Sequence, residues 1–144
     1  MKIPLFKIYS DDADMKAVEK VIKSGKDWAI GPKIEEFEKK LAEYVGIKYA
    51  LVFNSGTSAL HALMLAYGFK PGDEIIVPSF SFIATANAPL FVGAKPVFAE
   101  IEGKTFGLDP ADVENKITKR TKAIMVVHYA GKPVEMNGIM SQLH

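Results

Sequence analysis

Residues 49–78, "YALVFNSGTSALHALMLAYGFKPGDEIIVP", decide the fold. "YALVF" is a short apolar run of the kind that forms a strand buried on both faces. From Ala59 to Ala66 the only polar side chain is His61, so this stretch predicts a helix that is buried nearly all round, stopped by Gly68. "KPGDE" is a turn, and "IIVP" reads as a second buried strand. Between the first strand and the helix stands a small polar run, Asn54 to Ser58.

The pattern continues on both sides. Downstream, "FIATANAPLFVG" predicts a helix with a kink or early end at Pro89. "KPVFAEI" and "KAIMVVH" predict strands. Between them Asp109 caps a helix that opens on Pro110 and turns Val113 and Ile117 inward. "PVEMNGIMSQL" starts a final helix. Upstream, residues 11–24 predict a helix capped by Ser10, with a stripe of Ala17, Val18, Val21 and Ile22 and a stop at Gly25. A second helix opens at Pro32, carries Ile34, Phe37, Leu41 and Tyr44 on one face, and ends at Gly46. Alternating strands and helices give an α/β fold with a mainly parallel sheet flanked by helices.

The bulk numbers restrict the function classes. The chain has 144 residues, about one domain by length, with 49% hydrophobic and 24% charged residues. A net charge of +1 leaves no footprint for nucleic acid or an anionic membrane. With no cysteine, thiolate metal sites and cysteine nucleophiles are excluded, and three scattered histidines make no metal cluster. Lys7 and the aspartates Asp11, Asp12 and Asp14 interrupt any secretory h-region, and no apolar run approaches the roughly 20 residues of a membrane span. The expectation is a cytoplasmic protein.

Ligands of open parallel sheets bind beyond the carboxyl ends of the strands. The expected strand ends carry Asn54 to Ser58, then Pro78 to Phe82, then His128 to Gly131. Gly56 allows a tight turn and close approach of an anion, and Thr57 and Ser58 open the next helix, where free N–H groups favour negative charge. A phosphate is the natural occupant. The competing reading is that Ser55, Thr57 and Ser58 only cap the helix. The stretch is neither a Walker A loop nor a GxGxxG fingerprint. Phe80 and Phe82 are each either core or a ring that stacks on a flat ligand. His61 reads as a core histidine, whereas His128 ends a strand on the ligand side.

The stretches "SGKDWAIGPKIEEFEKKLAEYVG", "FNSGTSALHALMLA", "PGDEIIVPSFSFIATANAPLFVGAKPVF", "LDPADVENKITKRTKAI" and "VHYAGKPVEMNGIM" occur in that order. Together they resemble the first part of the sugar aminotransferases of the DegT/DnrJ/EryC1/StrS type, from about residue 8 to 140. That resemblance implies the aspartate-aminotransferase fold and pyridoxal 5'-phosphate. It implies that residues 1–144 are an N-terminal segment and part of a cofactor-binding large domain, with no separate second domain. Gly56, Thr57 and Ser58 match the positions that hold the cofactor phosphate, and Phe82, with Phe80 as the alternative, matches the ring that stacks on the pyridine. Trp28 to Gly31 matches a loop near the active site, so Trp28 and Gly31 are candidate substrate contacts, and His128 joins them from its place on the ligand side. The implied reaction moves an amino group from glutamate or glutamine to a nucleotide-linked keto sugar, for polysaccharide biosynthesis, in a homodimer.

The departures from the family pattern carry their own expectations. The Schiff-base lysine and the aspartate that pairs with the pyridine nitrogen lie in motifs not present in these 144 residues, and Lys95, Lys104, Lys119 and Lys122 fall outside the lysine motif. The chain is therefore expected to be truncated and inactive alone, or to be a non-catalytic remnant that binds phosphate or a partner. An incomplete parallel sheet is also expected to expose an apolar edge and promote self-association.

Overall fold

The computed structural model describes residues 4, 6–26 and 29–141. They form two compact units, residues 1–52 and 53–144.

In the first unit α1, Asp12–Ser24, is started by its acids. The Asp11 carboxylate accepts from the Ala13 and Asp14 N–H groups at 2.9 and 3.1 Å, and Asp14 accepts from the Asp11 N–H at 3.0 Å. This reciprocal cap moves the start one residue past the expected Ser10, because a carboxylate can serve two N–H groups at once. Gly25 closes the helix at φ 68°, a left-handed turn that suits glycine. Helix α2, Pro32–Val45, opens on its proline and is closed by Gly46 at φ 77°. Of its side chains only Ala42 is buried.

Residues 49–53 are not a strand, against the sequence expectation, and Tyr49 and Leu51 are 73% and 75% exposed. A parallel strand exists only where a neighbour takes its N–H and C=O groups. Here the Val52 N–H goes to the Glu38 carboxylate at 2.9 Å instead.

The second unit is built on a parallel sheet of order β2-β1-β3, with β1 Glu74–Pro78, β2 Lys95–Ala99 and β3 Thr121–Ile124. Only the central β1 is buried along its whole length, which matches its unbroken "IIVP" run. β3 is half-buried, because one of its edges has no neighbour in this sheet. The pleat divides the core into two clusters. Ile75 and Val77 pack with Met64 of α3, Gly56–Ala66, with Ala88 of α4, Ala84–Phe91, and with Ala94 just before β2. Ile76 packs on the other face with Leu108, Val113, Val134 and Ile139, which brings in α5, Pro110–Lys116, and α6, Met136–Met140.

Two further expectations are corrected here. α3 is not buried all round: Met64 alone is, while Leu63 and Leu65 are exposed. One face of the helix meets the sheet and α4, and nothing among the described residues of this unit covers the other. Ile117 is exposed because α5 ends before it in an extended residue, leaving Val113 as the inward side chain. No helix among the described residues is long and apolar enough to cross a membrane.

Candidate functional site

Chain direction determines which groups share an edge of the sheet. α3 leads into β1 through residues 67–73 and packs on its face, so the helix runs back against the strand. Its N-terminus therefore lies at the carboxyl edge, although the strand expected before it is absent. The loops after β1, β2 and β3 leave from this same edge.

Ser55 is the cap of α3. Its hydroxyl accepts from the Ser58 N–H at 3.1 Å and lies 3.0 Å from the Ser58 hydroxyl. The Ser58 N–H is thus committed to the protein. The Gly56 and Thr57 N–H groups are different. They belong to the first turn, where the helix offers no acceptor, and no acceptor for them is present among the described residues. The first turn of α3 holds no acidic side chain, and a methyl group placed on Gly56 would meet no atom within 4 Å. Open donors, an uncontested positive helix end and free space above the glycine fit a phosphate ester.

The aromatic pair of "PSFSF" is divided by its surroundings. Phe80 packs its ring against Tyr129 at 4.6 Å and Phe106 at 6.2 Å. Phe82 is 76% exposed and has no ring partner among the described residues. Its face is free to stack on a flat ligand. Next to it the Ser81 and Thr85 hydroxyls lie 2.7 Å apart, with Thr85 buried at the start of α4.

His128 follows β3 and is exposed, and its Nδ1 accepts from the Val134 N–H at 3.2 Å. That bond directs the other nitrogen, Nε2, away from the backbone. His61 is half-buried on α3, its ring 5.1 Å from Phe91 of α4. Gly31 belongs to the first unit, where it caps α2 from extended backbone, and Trp28 lies outside the described residues. Gly56, Thr57, Phe82 and His128 thus share one edge of one sheet. Sequence reasoning missed Phe106, whose only signal is a large apolar residue within the turn "EGKTFG".

The fold and this edge define a class of protein: an α/β domain that offers an open helix tip and an uncovered aromatic ring beyond a parallel sheet. Residues 9–142 match the DegT/DnrJ/EryC1/StrS aminotransferase family, and the chain belongs to it. GDP-perosamine synthase of Caulobacter vibrioides is 48% identical over 112 residues, 78% of this chain and 30% of that protein. UDP-2-acetamido-2-deoxy-3-oxo-D-glucuronate aminotransferase of Pseudomonas aeruginosa is 40% identical over 122 residues, 85% of this chain and 34% of that one. Among solved structures, a putative sugar aminotransferase of Streptococcus pneumoniae in its PMP form superposes with a TM-score of 0.89 at 30% identity, covering 99% of this chain and 36% of its own. The same protein is known in a PLP form, and pyridoxal phosphate is the cofactor of the class. The chain spans about a third of the length of the relatives it matches.

Proposed function

We propose that these residues build the phosphate-holding and ring-stacking side of a pyridoxal-phosphate site in an aminotransferase acting on a nucleotide-linked keto sugar. The observation that carries the reading is the N-terminus of α3: two N–H groups without acceptors, no competing acid, and open space at Gly56. The relatives' names support the sugar-nucleotide substrate, and the proposed amino donor is glutamate or glutamine.

The geometry supports a role for each residue. Gly56 and Thr57 N–H groups, with the Thr57 hydroxyl, bind the phosphate, and Ser55 holds Ser58 so that the helix tip keeps its shape. Phe82 stacks on one face of the ring and excludes water from it. When bound, the cofactor supplies the electron sink for moving the amino group. His128 offers Nε2 toward the substrate side, since Nδ1 is held by Val134. The covalent lysine and the carboxylate for the ring nitrogen come from outside these residues, in a cytoplasmic homo-oligomer.

Pyridoxamine phosphate is the suitable probe, because it cannot form imines with surface lysines. Titration of the 144-residue chain is expected to show binding that unphosphorylated pyridoxamine lacks. Equal weak binding of both would remove the phosphate cradle. Separately, pyridoxal phosphate followed by borohydride is expected to mark no single lysine. One uniquely marked lysine would place the covalent anchor within this chain and end the view that it is inactive alone.

A further inference from the structure

We infer that Phe80, Phe106 and Tyr129 form an aromatic clasp tying together the loops after all three strands, and that Phe80 is thereby the positioning residue for Phe82. Phe80 lies in the loop after β1, Phe106 in the loop after β2, and Tyr129 in the loop after β3. The Phe80 ring is the shared member, 4.6 Å from Tyr129 and 6.2 Å from Phe106, both tilted as aromatic pairs prefer.

Three further features indicate that this contact is enforced. Phe106 and Ala130 are the only non-glycine residues with positive φ among those described, at 60° and 52°. One is a member of the clasp and the other follows Tyr129 directly. Left-handed backbone at such residues is unfavourable and persists only where the surroundings dictate it. The supporting bonds point the same way. The Glu102 carboxylate binds the hydroxyl of Thr105 and the N–H groups of Lys104 and Thr105, which folds the loop that presents Phe106. Those donors, the Thr105 hydroxyl first, hold the Glu102 carboxyl below its ordinary value. The Lys132 ammonium crosses to the Lys104 carbonyl, joining the loops after β3 and β2. The rings are still 37–49% exposed, so they add little core. What they provide is a fixed relation among three loops at the edge where Phe82 stands two residues beyond Phe80.

The cofactor half of this inference rests on the proposed function, and the loop half does not, so the test reads both. Hydrogen exchange is measured at the Phe106, Gly131 and Lys132 amides, whose bonds to Glu102, His128 and Tyr129 carbonyls lie within the clasped loops. Phe80→Leu is expected to speed exchange at these amides about tenfold, in loops it does not belong to, with β1 amides unchanged. Phe80→Tyr and Tyr129→Phe, which keep the rings, are expected to behave as the parent chain. Pyridoxamine phosphate affinity, and the circular dichroism induced in its band, are expected to fall about three- to tenfold in Phe80→Leu and to return in Phe80→Tyr. Exchange that rises only within residues 79–83 overturns the clasp. Faster exchange in all three loops with ligand affinity and induced signal intact overturns the positioning role. A parent chain that does not discriminate the phosphate removes the cofactor reading, and the exchange data still decide the clasp. Tyr129→Leu repeats the test from the other ring should Phe80→Leu fail to fold.

Discussion

The two ends of β1 are both polar, and they treat their polar groups in opposite ways. At the amino end Glu74 is 3% exposed and fully partnered. Its carboxylate accepts from the Thr118 hydroxyl at 2.6 Å and from Arg120 through Nε and Nη2 at 3.1 and 2.7 Å, with the Lys95 ammonium 3.7 Å away. At the carboxyl end the Gly56 and Thr57 N–H groups, the Phe82 ring and the outer nitrogen of His128 have no protein partner among the described residues. A buried charge left alone is expensive, so a closed cluster indicates a structural task. On the proposed function, donors left open at a helix tip have a task that needs a ligand. On that proposal the same strand separates stability from binding along its length of five residues.

The largest effect that could break this contrast is at Glu74. Glu74→Ala is expected to lower Tm by about 5–10 °C, because it leaves a cavity at the sheet edge and frees Thr118 and Arg120 from their acceptor. Thermal unfolding followed by circular dichroism measures it, and an unchanged Tm would make the amino end as dispensable as a surface loop. The pH dependence should have a definite sign. The Thr118 hydroxyl, then Arg120, holds the Glu74 carboxyl below its ordinary value of 4.5. A folded-state value below the unfolded one gives stability that is complete above about pH 4.5 and is lost as pH falls through the folded value. The Tm gap between the parent chain and Glu74→Gln should therefore shrink on acidification below pH 4.5 and stay constant above it. A gap that widens in acid would reverse the assignment.

How legible each end was in the sequence follows from the range of the forces involved. The carboxyl edge could be read because its signals are local: a glycine and hydroxyls before an apolar helix, and two phenylalanines after a strand. The helix boundaries at Gly25, Pro32, Gly46 and Pro110 were legible for the same reason, since caps act within one turn. The Glu74 cluster was not legible, because it joins residues 44 and 46 positions apart. Nor was the fate of residues 49–53, whose β pattern is real but whose strand state depends on a neighbour that no local pattern reports. Phe106 stayed hidden because its role comes from rings in two other loops.

Ser55 gives a smaller effect that sharpens the comparison. It holds Ser58 and so belongs to the structural class, although it stands at the open edge. Ser55→Ala is expected to cost about 1 kcal/mol in denaturant unfolding, the usual value of an N-cap. It should also weaken pyridoxamine phosphate by loosening the helix tip. Loss of ligand with no loss of stability would move Ser55 into direct contact with the ligand.

The smallest expected stability effect belongs to Thr57, and it is the most diagnostic. Its hydroxyl has no protein partner among the described residues, and its side chain is half-buried at the second position of α3. Thr57→Val keeps the β-branched shape and removes only the hydroxyl. Nothing within the protein loses a hydrogen bond, so Tm should move by no more than about 2 °C. A phosphate bound at the helix tip would lose one donor, and a hydrogen bond to a charged group is worth about 1.5–3 kcal/mol. The pyridoxamine phosphate dissociation constant should then rise at least tenfold, with pyridoxamine itself unaffected. A variant that loses stability but keeps the phosphate preference would show that Thr57 serves the helix, and the two ends of β1 would no longer differ in kind.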